Sequence, residues 1–131
     1  MIVDSSALIA ILLDEPGADT LLLCLASSRA RISAATYLET GMVLKGYPPT
    51  GRAHLLDRLL EENRVGVEPF TEQQAKIAVM AFQQFGKGIH PARLNFGDCI
   101  AYALSVQTGE PLLYKGDDFA RTDIVSAVVH F

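Results

Sequence analysis

Three times in succession this chain passes from a short, β-prone apolar run to a longer stretch with helical spacing, and a fourth apolar run follows the last helix. Met1 to Val3 leads into a helix over Ser5 to Leu13 that Asp14-Glu15-Pro16-Gly17 breaks. A second helix is predicted over Ala18 to Ser28. Arg31 to Ala34 reads as the second strand, followed by a helix from Thr36 to Lys45 that Gly46 and the Pro48-Pro49 pair terminate. An amphipathic helix opening at Thr50 or Gly51 carries Ala53, Leu55, Leu56, Leu59 and Leu60 among charged residues. Val65 to Phe70 makes a third strand, and Thr71 with Gln74 forms a capping box for a helix through Phe85. Asn95 to Thr108 is the last long helix, Pro111 to Tyr114 the fourth strand, and Val125 to Val129 a final apolar strand. This alternation calls for a mostly parallel central sheet of four to five strands with helices on both faces, a three-layer αβα domain.

Half of the 131 residues are hydrophobic, enough for one domain over residues 1–131 that folds without disulfides or a structural zinc. Cys24 and Cys99 lie alone inside apolar helical patterns, so free, buried thiols in a reducing compartment are expected. Met1 runs straight into Ile-Val-Asp rather than a basic leader, and no segment approaches the ~18 uninterrupted apolar residues of a membrane span. The expectation is a soluble, cytoplasmic protein. A net charge of −4 and a pI near 5.2 argue against a protein that coats nucleic acid through a broad basic surface. They leave room for a nuclease, in which a compact acidic site binds a cation while a few Arg and Lys residues hold the phosphate backbone.

The acids sit where such a fold places its sites. Asp4, Glu39, Asp98 and the Asp117-Asp118 pair each fall where a strand-like run ends or a helix begins. In an open parallel sheet the carboxyl ends of the strands share one rim, where residues remote in sequence meet. Each acid also has an ordinary reading: Asp4 as the N-cap of the first helix, Glu39 and Asp98 as third-position caps after Thr36 and Asn95, and Asp117-Asp118 as a turn. Thr71 opens its helix with Gln74 and no acid at that third position, so capping alone does not demand carboxylates at the other junctions. An all-oxygen set without His or Cys suits Mg²⁺ or Mn²⁺ better than zinc. The matching chemistry is hydrolysis of a phosphodiester by metal-activated water.

Four segments, Ile2-Val3-Asp4-Ser5-Ser6-Ala7-Leu8, Thr36-Tyr37-Leu38-Glu39, Asn95-Phe96-Gly97-Asp98-Cys99 and Leu112-Leu113-Tyr114-Lys115-Gly116-Asp117-Asp118-Phe119, together resemble the PIN-domain ribonucleases, specifically the VapC-type toxins. The resemblance spans nearly the whole chain, in order. It implies a PIN-like αβα domain and a small cytoplasmic, Mg²⁺- or Mn²⁺-dependent endoribonuclease, the toxin of a toxin–antitoxin pair, usually a homodimer held inactive by a VapB-type antitoxin. It also implies that Asp4 and Asp98 are the principal metal ligands, with Glu39 the third acid. Ser6 resembles the hydroxyl that tethers Asp4 or a metal-bound water, and it reads equally well as a helix-start residue. For the fourth acid both Asp118 and Asp117 stay open.

Lys87-Gly88-Ile89-His90-Pro91-Ala92-Arg93 is a basic, glycine-bearing loop just ahead of Asp98. Read functionally it is a flexible cationic loop that grips RNA phosphates, Arg93 by a bidentate contact and Lys87 as a point charge. Read structurally it is a solvated surface loop. Lys115 can approach the same rim or pair with a neighbouring acid. His54, His90 and His130 share no motif and are assigned no chemistry. Leu8 to Leu13 and Leu21 to Leu25 carry more apolar residues than one buried stripe needs, which fits thick core packing or a groove for an antitoxin helix. Two rival readings are a receiver-like phosphoacceptor domain, for which Lys115 would be the lysine and Val65 to Phe70 the middle strand, and a non-catalytic PIN-like module that only binds RNA or protein.

Overall fold

The computed structural model describes residues 1–47 and 52–128. Strand β1 is Ile2–Val3, β2 is Arg31–Ser33, β3 is Gly66–Glu68 and β4 is Leu112–Leu113. Helices α1 (Ser5–Leu12) and α2 (Ala18–Ser27) follow β1, α3 (Ala34–Lys45) and α4 (Arg52–Glu62) follow β2, and α5 (Glu72–Phe85) and α6 (Phe96–Thr108) follow β3. The four strands pair in parallel in the order β3-β2-β1-β4, with Ile2 beside both Arg31 and Leu112 and with Ile32 beside Val67. The expected three-layer αβα architecture is the one present.

Alternation along two-residue strands is enough to feed both layers, because successive side chains leave a strand on opposite faces. Val3 and Leu113 join Leu8, Leu25, Leu44, Leu56 and Leu60 in a core on one side. Ile2 and Leu112 join Phe85, Leu94, Tyr102 and Leu104 on the other. These strands are buried on both faces, as a helix-covered parallel sheet requires.

Sequence order and spatial order part company at one place: the chain lays down β1, β2 and β3 in one direction and then returns β4 to the far side of β1. That reversal is a topological switch point, and the crevice outside the carboxyl ends of β1 and β4 is where such sheets bind ligands. It also makes β3 an edge strand, so Val65 to Phe70 is not the middle strand that the receiver-like reading assumed.

Several elements differ from their expected form. The final strand reduces, among the described residues, to a single bridge pairing Ser126 with Leu112, flanked by Leu112 N–H donating to the Val125 carbonyl and Ala127 N–H donating to the Leu112 carbonyl, both at 2.9 Å. Val129 and His130, like Pro48, Pro49, Thr50 and Gly51, lie outside the described residues. The Thr71 hydroxyl accepts the Gln74 N–H at 3.2 Å, but the Gln74 side chain does not complete the box: it is buried and donates to the Gln107 side chain on α6. Cys99 is buried and Cys24 half-buried, both free.

Candidate metal centre at the carboxyl edge of the sheet

The site begins with Asp4, the residue after β1. Its extended backbone and its side chain cap α1, Oδ2 accepting the Ser6 N–H at 3.0 Å. The residue is only 2% exposed, and its other oxygen, Oδ1, is buried with no hydrogen-bond partner among the described residues. One oxygen serves the helix and the other is left for something else. Ser6 makes a second tie, its hydroxyl accepting the Lys115 N–H at 3.0 Å, so it stitches the start of α1 to the end of β4. Lys115 itself directs its ammonium to Glu15 at 2.9 Å, the pairing alternative.

Asp98 is built the same way from α6. Asn95 and Asp98 form a full capping box, the Asn95 side chain accepting the Asp98 N–H at 2.9 Å and Asp98 Oδ2 accepting the Asn95 N–H at 3.0 Å. Capping and site-building are therefore compatible, since a carboxylate has two oxygens and a cap uses one.

Glu39 is not a cap. Helix α3 starts two residues earlier than expected because Ser33, with its hydroxyl accepting the Ala35 N–H at 3.2 Å, takes the capping role that Thr36 was expected to fill. Glu39 then lies in the second turn of α3, and its carboxylate reaches across to α6, where it rests against the backbone of Gly97. Its Oε1 is buried and unpartnered among the described residues. Thr36, one turn earlier on the same face of α3, is also buried with its hydroxyl oxygen unpartnered. No local motif singles out that hydroxyl; the i, i+3 relation to Glu39 is the one signal that could have found it.

Charge coupling ties these groups together. Burial, then the charges of Asp98 and Glu39, push the Asp4 carboxyl up from 3.8 to about 7, against the opposing hydrogen bonds from Ser6. Burial, then the charges of Asp118 and Glu39, raise Asp98 to about 6, against the opposing bond from Asn95. Asp118 is exposed, yet its charge is felt at Asp98, whereas Asp117 is not among the charges acting on Asp98 or Asp4. Among the described residues no three His, Cys, Asp or Glu side chains stand close enough to enclose a metal ion as they lie. The charge of Glu39 is felt at both Asp4 and Asp98, yet the three do not form a closed shell.

The basic loop is more tightly built than its glycine suggested. Lys87 N–H donates to the Leu94 carbonyl at 2.9 Å, Leu94 N–H to the Phe85 carbonyl at 3.0 Å, and Ile89 and His90 N–H groups both to the Gly86 carbonyl at 3.0 Å. His90, assigned no role from sequence, pins the loop: its Nδ1 accepts the Ala92 N–H at 3.0 Å and its ring meets Phe85 edge-on at 5.1 Å. Lys87 and Arg93 remain exposed, outside any ion pair among the described residues, with Arg93 held at a left-handed φ of 56°. Elsewhere Leu8, Leu21 and Leu25 are spent on the core, leaving Leu22 and Leu23 facing outward on α2. No helix of the described residues is long and apolar enough to cross a membrane.

A profile of the PIN domain matches residues 1–125. Ribonuclease VapC28 of Mycobacterium tuberculosis is 49% identical over 130 residues, 98% of each chain. Among solved structures, Mycobacterium tuberculosis VapC20, described as a sarcin-ricin loop cleaving toxin, superposes with a TM-score of 0.77 at 19% identity over 95% of each chain. A toxin–antitoxin complex from Klebsiella pneumoniae gives a TM-score of 0.68 at 19% identity, covering 98% of this chain and 95% of its own. At that identity the two structures speak for the fold alone.

Proposed function

This chain belongs to the PIN-domain family, within its VapC ribonucleases, and we propose from that premise that it is a metal-dependent endoribonuclease, the toxin of a toxin–antitoxin pair. We take residues 1–131 as one such domain. The observation that carries the reading is the pair of buried, unpartnered carboxylate oxygens, Asp4 Oδ1 and Glu39 Oε1, beside the Asp98 carboxyl, which is raised to about 6. Buried acceptors without donors are costly, and anions that raise one another's pKa store repulsion that a cation relieves.

The donor set fits Mg²⁺ or Mn²⁺: hard oxygens from Asp4, Asp98 and Glu39, with no imidazole or thiolate at the cluster. When bound, the ion supplies Lewis acidity toward a phosphoryl oxygen and a nucleophilic water at neutral pH. The protein's part is positioning. Asp4 and Asp98 would hold the ion through the oxygen that each helix cap leaves over, and Glu39 would join them from α3. Asp118, whose charge couples to Asp98, is the better fourth acid than Asp117. Ser6 keeps α1 and β4 in register, and so keeps Asp4 and Asp118 at one edge. Arg93 and Lys87, presented on a pinned loop next to α6, suit the role of phosphate contacts on RNA.

For partners, a VapB-type antitoxin is supported by the fold shared with the Klebsiella pneumoniae complex and by Leu22 and Leu23, which leave apolar surface on α2. A homodimer is supported by an apolar groove of about 530 Å³ between α5 and α6, lined by Phe70, Val79, Phe82, Phe96 and Ile100. A cytoplasmic location fits the two free cysteines.

The test is to incubate antitoxin-free protein with structured RNA, with and without Mg²⁺ or Mn²⁺, beside Asp98→Asn. Cleavage that needs the metal and disappears in the variant supports the assignment. Cleavage indifferent to both would overturn it.

A further inference from the structure

Gly97 lies in the first turn of α6 between Phe96 and Asp98, with no positive φ, so its backbone is one that any residue adopts. Helix propensity disfavours glycine there relative to alanine. Its value must lie in the missing side chain. A Cβ built on Gly97 would fall 1.8 Å from Glu39 Oε2, 2.5 Å from Glu39 Cδ and 2.6 Å from Glu39 Oε1. The carboxylate of Glu39 thus occupies the very space a methyl group would take. Glu39 is half-buried there, with Oε1 unpartnered, and its charge is felt at Asp4, which is only 2% exposed and has its own Oδ1 unpartnered.

We propose that Gly97 is a positioning residue: by leaving its side-chain volume empty it lets Glu39 pass from α3 over the first turn of α6 and stand beside Asp4 and Asp98 as the third metal-binding carboxylate. The N-terminal end of a 13-residue helix, with its positive end of the dipole, then faces that anion. This rests on the acidic cluster being the metal site, and it adds what admits Glu39 to it. No motif reading reaches it, since Glu39 and Gly97 are far apart in sequence and the contact exists only when α3 packs on α6.

The substitution Gly97→Ala should evict Glu39 and weaken Mn²⁺ binding by tenfold or more, as loss of a residue that orients a metal ligand does, measured by titration calorimetry on the RNA-free protein. Shortening the displaced side chain should undo part of this. In the Gly97→Ala background Glu39→Asp should recover Mn²⁺ affinity, while in the parent protein the same change should lower it, a reversal of sign that a merely structural glycine would not produce. Melting in EDTA separates the alternatives further: Gly97→Ala should lower the melting temperature when Glu39 is present and leave it level or raise it in a Glu39→Ala background. Parent-like Mn²⁺ binding by Gly97→Ala, or an equal loss of melting temperature in both backgrounds, would overturn the proposal. Neither readout uses RNA cleavage, so both stand apart from the ribonuclease assignment. If no variant, the parent included, binds Mn²⁺, the metal reading itself fails, while the melting pair still decides whether Gly97 exists to seat Glu39.

Discussion

The two ends of the sheet treat charge in opposite ways. At the amino edge Glu110, just before β4, accepts the Met1 ammonium at 2.8 Å and pairs with Arg31, which also reaches Glu68 on the neighbouring strand at 3.5 Å. Those cations hold the Glu110 carboxyl below its usual range, the Met1 contact foremost. At the carboxyl edge Asp4 and Asp98 are pushed up to about 7 and about 6, by burial first and by neighbouring acids after it. Charge at the amino edge is neutralised and supports the fold, while the raised carboxyls at the other edge mark a candidate functional site. A protein tolerates such a cluster only where a ligand present in its working state offsets the cost.

The sharpest break in that contrast comes from neutralising one acid at the carboxyl edge. Asp98→Asn keeps an oxygen able to accept the Asn95 N–H and so preserves the helix start. Cleavage should fall by more than about 100-fold, beyond the range expected for groups that merely support a ligand. In EDTA the variant should melt a few degrees higher than the parent, because one member of a repelling set is gone. A large drop in melting temperature would instead make Asp98 a structural cap.

The same raised carboxyls fix the sign of the pH response without metal. Asp4 and Asp98 titrate higher in the folded chain than in the unfolded one, so the folded state binds more protons between the two values. Stability then falls as pH rises from near 3.8 toward 7, and is fully retained below that window. For buried Asp4 alone this is on the order of a few kcal/mol. Melting curves in EDTA should therefore show a lower midpoint at pH 8 than at pH 5.5, and Mn²⁺ should reduce the difference while binding more tightly at the higher pH. A flat EDTA profile would mean that neither burial nor the neighbouring charges raise these carboxyls in the folded chain.

A smaller effect is expected beside that edge, on the basic loop. Replacing Arg93 with Ala should raise KM for RNA several-fold, with kcat little changed, and lower the slope of log affinity against log salt by about one. An unchanged slope would leave Arg93 a surface residue of a loop that His90 and the Gly86 carbonyl already hold.

What the chain discloses in advance follows how local each signal is. Asp4 and Asp98 stand at junctions where an apolar run meets a helix start, and their caps are made with residues two or three positions away, so both roles are readable from spacing. Glu39 was visible as an acid but its address was not: Ser33 and Thr36 are both hydroxyl residues near the end of β2, and the earlier one takes the cap. The return of β4 to the side of β1, the seat of Glu39 on Gly97 and the coupling of Asp118 to Asp98 depend on packing between distant segments, which periodicity does not encode. The loop before Asp98 looked flexible because glycine and proline advertise turns, yet the hydrogen bond from Ala92 N–H to the His90 ring closes it.

The amino edge supplies the mildest test, and its pH dependence should run the other way. Glu110→Gln removes the charge that Met1 and Arg31 share while keeping the shape of the side chain. Because the group is partly exposed, solvent screening keeps the expected loss near 1 kcal/mol at neutral pH. A carboxyl whose folded pKa is lowered lends stability above its unfolded value near 4.5 and loses it as pH falls through the folded one. Parent and variant should accordingly differ most above about pH 5 and converge in acid, where the parent's Glu110 is protonated. RNA cleavage should be unchanged, since nothing in that cluster reaches Asp4, Glu39 or Asp98. Loss of cleavage with the fold intact would mean that the two edges are coupled through β1 and β4, and that the pairing of Met1 with Glu110 sets where Asp4 stands.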